Sequence, residues 1–494
     1  MKRVFLNPVV ALAAGLCLRL FFVLKYPANS GDTVLYEQIA TNWLKHHVYA
    51  MDVAGAVTPV DLRMPGYPAF LAIVYSLAGR TGENARQWVM LAQIVADLLA
   101  CLVIARLAEL LACPGKGAPA NKRARSAALW LAVLCPFTAN YTAVPLTEVF
   151  AGLWTGLGCC VLVLALRRVQ QPDFFLKGSH LPLGKSVEYT ALGAGLIVGM
   201  GTLFRPETPL LLVAAAMVFG GLFLRMQDLK RWVMVGLAMA LGCGMVLSPW
   251  ALRNMVTLGE AQFLAPKESN LPGELVPYGF MAWEKTWLFR VRDCYLVPWK
   301  LNGEAIFVDD IPARAFDTPE EKQRVAEILE QYNNDLTLTA EEDAAFLRLA
   351  RERNARNPLR AHVWIPAARA VTIWFTPRIE LLPIAGHIFP LAQMHEDDPV
   401  DQRVTILFFL LNVAYVGLGA WGAVRLWRWN VAARPAVALL TLFLLIRTAF
   451  LTTLETPEPR YVLVCFPLLI AMGAQVMAGR VRTPAPASIT AGRP

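Results

Sequence analysis

The feature that most constrains this chain is a series of long apolar runs separated by short charged patches. They lie near 7–25, 87–112, 125–143, 147–166, 187–204, 207–224, 231–250, 402–424, 432–452 and 461–479. A helix needs about 20 mostly apolar residues to cross a bilayer. Inside a bilayer every backbone N–H and C=O must be bonded within the protein, so runs of this kind fold as helices. Charged residues are only 17% of the 494, against roughly 25% in an ordinary soluble domain. The expectation is an all-α polytopic membrane protein with about ten transmembrane helices.

Charge orders these helices. The net charge of +9 does not point to nucleic acid, because Lys and Arg cluster at the ends of apolar runs, where they act as topology signals. With Lys2 and Arg3 inside, alternation puts Lys122 and Arg123, Arg167 and Arg168, Lys230 and Arg231, Arg425 and Arg428, and Arg480 and Arg482 on the cytoplasmic side. Each inner loop is then basic, as the positive-inside rule requires. Both termini are expected in the cytoplasm, in a multi-pass protein of the plasma (inner) membrane. No small-x-small site follows the first run, which reads as an uncleaved helix. Most of the nine cysteines lie in apolar runs and only Cys294 falls in the large outer region. That pattern makes neither a disulfide framework nor a metal site.

The same topology divides the chain. Residues 1–253 form an N-terminal membrane part with a long outer loop at 26–86. Residues 254–401 form an extracytoplasmic and membrane-surface insertion, 402–481 hold the last helices, and the Pro/Ala/Thr-rich tail at 482–494 is expected to be disordered. In the outer loop, Tyr36, Ile39, Ala40 and Trp43 recur at helical spacing, the pattern of an interfacial amphipathic helix. The apolar stretch 65–78 is too short to span and fits an interfacial helix. The insertion reads as mainly α. Pro319 opens a helix with Val325, Ile328, Leu329 and Tyr332 on one face. Thr339 and Glu342 form a capping-box pattern ahead of Phe346, Leu349 and Ala350.

The unusual polar residues fall on one side of this map. Asp32, Arg63, Glu148, Arg205 with Glu207, Arg253, and Glu455, Glu458 and Arg460 all lie at outer ends of apolar runs. Ionisable groups at that depth pair, meet water or serve a site. A transporter site is expected nearer the midplane, often between repeated halves, and the chain has no internal repeat. The arrangement favours chemistry on something delivered at the outer leaflet.

Gly31-Asp32 with Tyr36 and Ala40, followed by Arg63-Met64-Pro65-Gly66-Tyr67-Pro68, resembles the opening signatures of GT-C glycosyltransferases. The likeness is to the glycosyltransferase family 39 branch, which includes protein O-mannosyltransferases and the lipid A aminoarabinose transferase. Pro145-Leu146-Thr147-Glu148, Phe204-Arg205-Pro206, Pro249-Trp250-Ala251-Leu252-Arg253-Asn254 and Pro459-Arg460-Tyr461 continue it in order. The resemblance implies a GT-C-like fold and an enzyme that moves a sugar, of hexosyl or pentosyl type, from a polyprenyl-phosphate donor to an extracytoplasmic acceptor. It also implies that Asp32 is the catalytic base. One position departs from the protein O-mannosyltransferase pattern, where Glu follows that Asp. Here Thr33 does, which argues against a protein acceptor by analogy with that subgroup.

The chemistry needs few residues. A hydroxyl becomes a good nucleophile when a carboxylate takes its proton. A departing phosphate needs cations and no proton. Asp32 is therefore the expected base, with inversion at the sugar. Arg63, Arg253 and Arg460, and more weakly Arg205, are candidate contacts to the donor phosphate, because a guanidinium fork fits phosphate oxygens. Tyr36, Tyr67, Glu148, Glu455 and Tyr461 are candidates to support the site or orient the acceptor. No metal is assigned. His395, Glu396, Asp397 and Asp398 lack an established ligand spacing, and a divalent cofactor is possible but not indicated. The expected partners are the lipid donor, membrane lipids and an acceptor the sequence does not name.

Simpler readings stand beside these. Asp32 has the residue type to cap a helix starting near Thr33. The outer arginines can act as interfacial anchors, and Arg460 can pair with Glu455. Arg19, Asp97, Arg106 and Arg447, inside apolar runs, suit interhelical pairing or snorkelling. The alternative function is a transporter or flippase of a phosphate-bearing lipid or glycolipid, and a second rival is a non-catalytic lipid-binding or assembly protein.

Overall fold

The computed structural model describes residues 5–112, 121–170, 187–266, 268, 271, 273–389 and 398–478. The chain opens with α1 (Pro8–Lys25). The loop after it folds into α2 (Gly31–His46), an antiparallel hairpin of β1 (Ala50–Val53) and β2 (Ala56–Pro59), and α3 (Gly66–Ala78). Seven helices follow: α4 (Arg86–Ala112), α5 (Lys122–Val133), α6 (Pro136–Asn140), α7 (Glu148–Val169), α8 (Val187–Thr202), α9 (Leu210–Arg225) and α10 (Leu229–Leu258). The insertion carries α11 (Tyr278–Glu284), α12 (Val291–Cys294), α13 (Pro319–Asp335), α14 (Ala340–Arg356) and α15 (Ile365–Trp374). The chain then returns through α16 (Pro399–Trp429), α17 (Arg434–Leu451), a 3-10 segment (Pro459–Cys465) and α18 (Phe466–Met477).

Among the described residues seven helical segments are long and apolar enough to cross a membrane: α1, α4, α7, α10, α16, α17, and α18 with its 3-10 lead. The protein is an all-α polytopic membrane protein. The other three expected runs are helical but shorter. Run 125–143 breaks between α5 and α6 at Pro136, because proline lacks an N–H and its ring clashes with the preceding turn. Helices α8 and α9 have 16 residues each, about 24 Å at the helical rise.

Small residues let the helices close. A Cβ on Gly195 of α8 would strike the Met239 carbonyl, and one on Gly242 of α10 would strike that of Leu192. Such close approach is a main source of helix association in a bilayer. Arg19 on α1 is buried and bonds Asp97 on α4 at 2.7 Å, with further bonds to the carbonyls of Gly15 and Val133. This is the expected interhelical pair. Arg106 instead pairs with Glu109 on its own helix.

Helix α2 buries Tyr36, Ile39 and Ala40 as the spacing predicts. Its cap differs from the simple reading. Ser30 is the N-cap, and its N–H donates to Thr33 Oγ1 at 3.1 Å. Asp32 is therefore not the cap, and its carboxylate is left for other partners. Thr33 also donates to the Pro145 carbonyl at 3.2 Å and is buried. A hydroxyl at this position thus closes the helix cap and ties it to the α6–α7 connection.

The insertion has its own core, with Phe280, Trp283, Trp287, Val325, Leu329 and Phe346. Thr318 caps α13 with Pro319 in the first turn, and the Thr339–Glu342 capping box opens α14. Both match the sequence reading. His395, Glu396, Asp397 and the tail 482–494 lie outside the described residues.

Candidate active site

One end of the helix bundle holds a cavity of about 720 Å³. It gathers the start of α2, the loop before α3, the loop between α8 and α9, the N-terminal end of α7, and the segment before α18. Gly66 locks two of these together. Its N–H donates to the Leu203 carbonyl at 2.7 Å, and a Cβ there would lie 2.6 Å from the same oxygen. Only glycine allows this approach, which sets Arg63 beside the Phe204-Arg205-Pro206 turn.

Asp32 sits in the cavity wall between two arginines. Arg63 Nη2 donates to Oδ1 at 2.7 Å, and Arg460 Nη2 to Oδ2 at 2.8 Å. Burial alone would raise the Asp32 pKa, but the guanidiniums of Arg460 and Arg63 outweigh it and hold the carboxyl at about 2. Tyr36, one turn along α2, also lines the cavity. Burial and the Asp32 charge push its hydroxyl up to about 12.

Arg460 continues the network. Its Nε lies 2.5 Å from Glu458 Oε2, and Tyr461 donates to Glu458 Oε1 at 2.7 Å. Arg205 pairs closely with Glu148. The Arg205 and Arg460 guanidiniums lie 5.1 and 5.4 Å from the Tyr461 ring centroid, within cation–π range. Glu207 is bonded by Arg447 at 2.9 Å. Burial opposes its charge, but Arg447 and Arg205 hold its pKa below the usual carboxylate range. Four carboxylates thus face four arginines. Within this network Glu148 Oε2 and the Nε atoms of Arg205, Arg447 and Arg460 are buried and have no hydrogen-bond partner among the described residues. Buried polar atoms rarely stay unmet. Among the described residues no group of three or more His, Cys, Asp or Glu is arranged to hold a metal ion.

No family model and no curated protein matches this chain. Solved structures do. One is the archaeal oligosaccharyltransferase AglB from Archaeoglobus fulgidus, in complex with an inhibitory peptide and a dolichol-phosphate. It matches at TM-score 0.48 and 13% identity, over 94% of this chain and 50% of that one. Another is ArnT from Cupriavidus metallidurans bound to undecaprenyl phosphate, at TM-score 0.40 and 14% identity, over 95% of this chain and 77% of that one. The chain spans about half the length of the oligosaccharyltransferase it matches.

Of the residues singled out from sequence, Asp32, Arg63, Arg205, Arg460, Tyr36 and Tyr461 line the cavity, and Glu148 stands behind Arg205. Three do not join them. Arg253 is committed elsewhere. It donates to the carbonyls of Val60 at 2.8 Å and Tyr49 at 2.6 Å and stacks on the Tyr49 and Trp250 rings. Tyr49 in turn donates to the Arg63 carbonyl at 2.8 Å, so Arg253 braces the loop that presents Arg63. Tyr67 faces inward, donating to Gln93 at 2.7 Å, with its ring 5.0 Å from that of Tyr36. Glu455 bonds Lys285 of the insertion at 2.8 Å and is not the partner of Arg460. Glu37, the other acid near Asp32 in sequence, is held by Arg86 at 2.7 and 2.8 Å.

Two cavity residues were missed as site candidates. Glu458 and Glu207 both adjoin motif residues, at Pro459-Arg460 and Arg205-Pro206. Proximity to a motif arginine was the available signal.

Proposed function

We propose that the chain is an integral membrane glycosyltransferase of the GT-C kind, moving a sugar from a polyprenyl-phosphate donor to an acceptor outside the cytoplasm. The observation that carries this reading is one carboxylate, Asp32, held between Arg63 and Arg460 in the wall of the large cavity. An acceptor hydroxyl gives its proton to Asp32 while its oxygen forms a bond to the anomeric carbon. The bond from that carbon to the phosphate oxygen breaks, and the lipid phosphate leaves with the electron pair. Displacement from the opposite face inverts the anomeric centre.

A carboxylate tied by two arginines is a weak base. Donor phosphate competes for the same guanidiniums, since Arg binds phosphate at least as well as carboxylate. On this reading the donor draws Arg63 and Arg460 toward its phosphate and leaves Asp32 freer and more basic. The apolar lining of the cavity, including Leu62, Phe204, Leu210 and Phe450, suits a lipid carrier. The transporter alternative would lean on charges inside the spans, but Arg19 and Asp97 are closed on each other and Arg106 pairs along its own helix.

The test uses purified protein in lipid with a panel of radiolabelled polyprenyl-phosphate sugars and extracted cell-envelope acceptors. Label leaving the lipid for an acceptor, with inverted anomeric configuration, is the expected result. Donor binding without transfer to any acceptor would move the reading to a lipid transporter or binding protein.

A further inference from the structure

Arg460 reaches the cavity from the segment 452–460, which joins α17 to the 3-10 lead of α18. Residues 452–458 form neither helix nor strand. Their carbonyls therefore have no ladder to bond, and carbonyls shielded from water need partners. Two buried arginines of the insertion, Arg369 on α15 and Arg378 just after it, supply them. Arg369 Nε donates to the Leu288 carbonyl at 2.7 Å. Its Nη atoms donate to the carbonyls of Leu454 at 2.5 Å, Thr452 at 3.3 Å and Glu455 at 3.4 Å. Arg378 donates to Asn412 Oδ1 and to the Pro459 carbonyl, both at 2.9 Å, and to the Ile373 carbonyl at 3.1 Å.

Every one of these bonds goes to an uncharged oxygen. A buried cation is costly unless it is paired, so two guanidiniums turned to backbone are a sign of a placed segment. Arg378 is itself held. Asn412 on α16 donates to the carbonyls of Trp374 and Thr376 at 2.7 and 3.0 Å, and Arg378 has φ +58°, where non-glycine residues are uncommon. Its bond to Pro459 bears directly on the site. The Pro459 carbonyl and the Arg460 N–H belong to one planar peptide, and proline fixes its own φ. Holding that carbonyl sets the peptide plane from which Arg460 reaches Asp32 Oδ2 at 2.8 Å.

We propose that Arg378 and Arg369 are positioning residues for sugar transfer, pinning the 452–460 backbone so that Arg460 stays on Asp32. This rests on reading Asp32 as the base.

The experiment puts the full chain in phosphatidylcholine nanodiscs and treats it with dicyclohexylcarbodiimide, which adds to a protonated carboxyl. The Asp32 adduct is quantified by mass spectrometry, and its rate is followed from about pH 3 to about pH 6. With Arg460 and Arg63 holding the carboxyl at about 2, the wild-type rate should fall about tenfold per pH unit throughout. In Arg460→Met and Arg378→Met the curve should bend and level off below about pH 4, the ordinary carboxylate range. Wider access to the cavity would raise the whole curve without bending it. Arg378→Lys keeps a donor for the Pro459 carbonyl and should restore the wild-type slope. Arg369→Lys offers one ammonium to three carbonyls and should bend the curve less than Arg378→Met does; it carries the test if Arg378→Met does not fold. Arg353→Met, which removes a buried guanidinium bonded to Thr286 and the Arg314 carbonyl, should lower the melting temperature and keep the slope. An unbent curve in both Arg378→Met and Arg369→Lys, an unbent curve in Arg460→Met, or an equal bend in Arg353→Met would each overturn the proposal. The labelling needs no sugar donor, so it is separate from the glycosyltransferase reading, which Asp32→Asn that still transfers sugar would sink.

Discussion

Arg353 in the insertion and Arg460 in the membrane part are both arginines set against carboxylates, and their surroundings set them apart. Arg353 is fully buried on α14. It pairs closely with Glu321 and also bonds Thr286 Oγ1 at 2.8 Å and the Arg314 carbonyl at 3.2 Å. Its guanidinium is taken up by the fold, and it does not line the cavity described above. Arg460 also holds carboxylates, but its network edges the 720 Å³ cavity and includes a carboxylate shared with Arg63. Ion pairs alone do not mark a site. What marks one is a network that a ligand can enter and rearrange.

The sharpest way to break this comparison is to make the same change in both places. Arg460→Met is expected to lower turnover by roughly 10²- to 10³-fold, the usual effect of losing one transition-state donor. Arg353→Met should leave turnover near wild type and lower stability by about 3–5 kcal/mol, since it strands a buried charge. Activity assays and denaturant midpoints on both variants check this. Matching loss of activity in the two would erase the distinction.

A pH profile sharpens it further. The folded-state pKa of Asp32 is lowered from 3.8 to about 2, so its contribution to stability is present above about 3.8 and is lost as pH falls toward about 2. Wild-type kcat/KM for the donor should therefore have no acid limb from Asp32 in the ordinary carboxylate range. In Arg460→Met the limb should rise toward pH ~4, where an unperturbed Asp titrates. An unmoved limb would mean that Arg460 does not control Asp32.

Smaller effects test the borders of the site. Arg253→Ala is expected to cost about 1–3 kcal/mol, because it strands two backbone carbonyls, and to change turnover only through the placement of Arg63. A thermal melt paired with a turnover assay separates the two. Arg324→Ala breaks a solvent-exposed pair with Glu352 and should shift stability by less than about 1 kcal/mol, a baseline for the insertion.

Much of this was readable from the residues. Apolar runs gave the helices, Pro319 and the Thr339–Glu342 box gave α13 and α14, and the motif arginines gave three sides of the cavity. What failed did so for physical reasons. Arg253 and Asn254 are neighbours on α10, and only the rotation of the helix against the β hairpin decides that Arg253 braces that hairpin. Glu455 and Glu458 are three residues apart in a non-helical segment, where spacing does not say which acid meets Arg460. Tyr67 follows the motif glycine closely but lies on the inward face of α3. Asp32 had the residue type of a cap, and Ser30 with Thr33 took that role two residues earlier. The break at Pro136 was written in the sequence and was outweighed by the apolar run around it.

The most direct test of the central claim measures sugar transfer and lipid-phosphate binding on the same samples of wild type and Asp32→Asn. The account predicts that transfer falls by roughly 10²- to 10⁴-fold, the range for losing a general base. It also predicts that polyprenyl phosphate binds at least as tightly, because Arg63 and Arg460 are released from their carboxylate. Transfer that survives the substitution, or binding that is lost together with transfer, would contradict it.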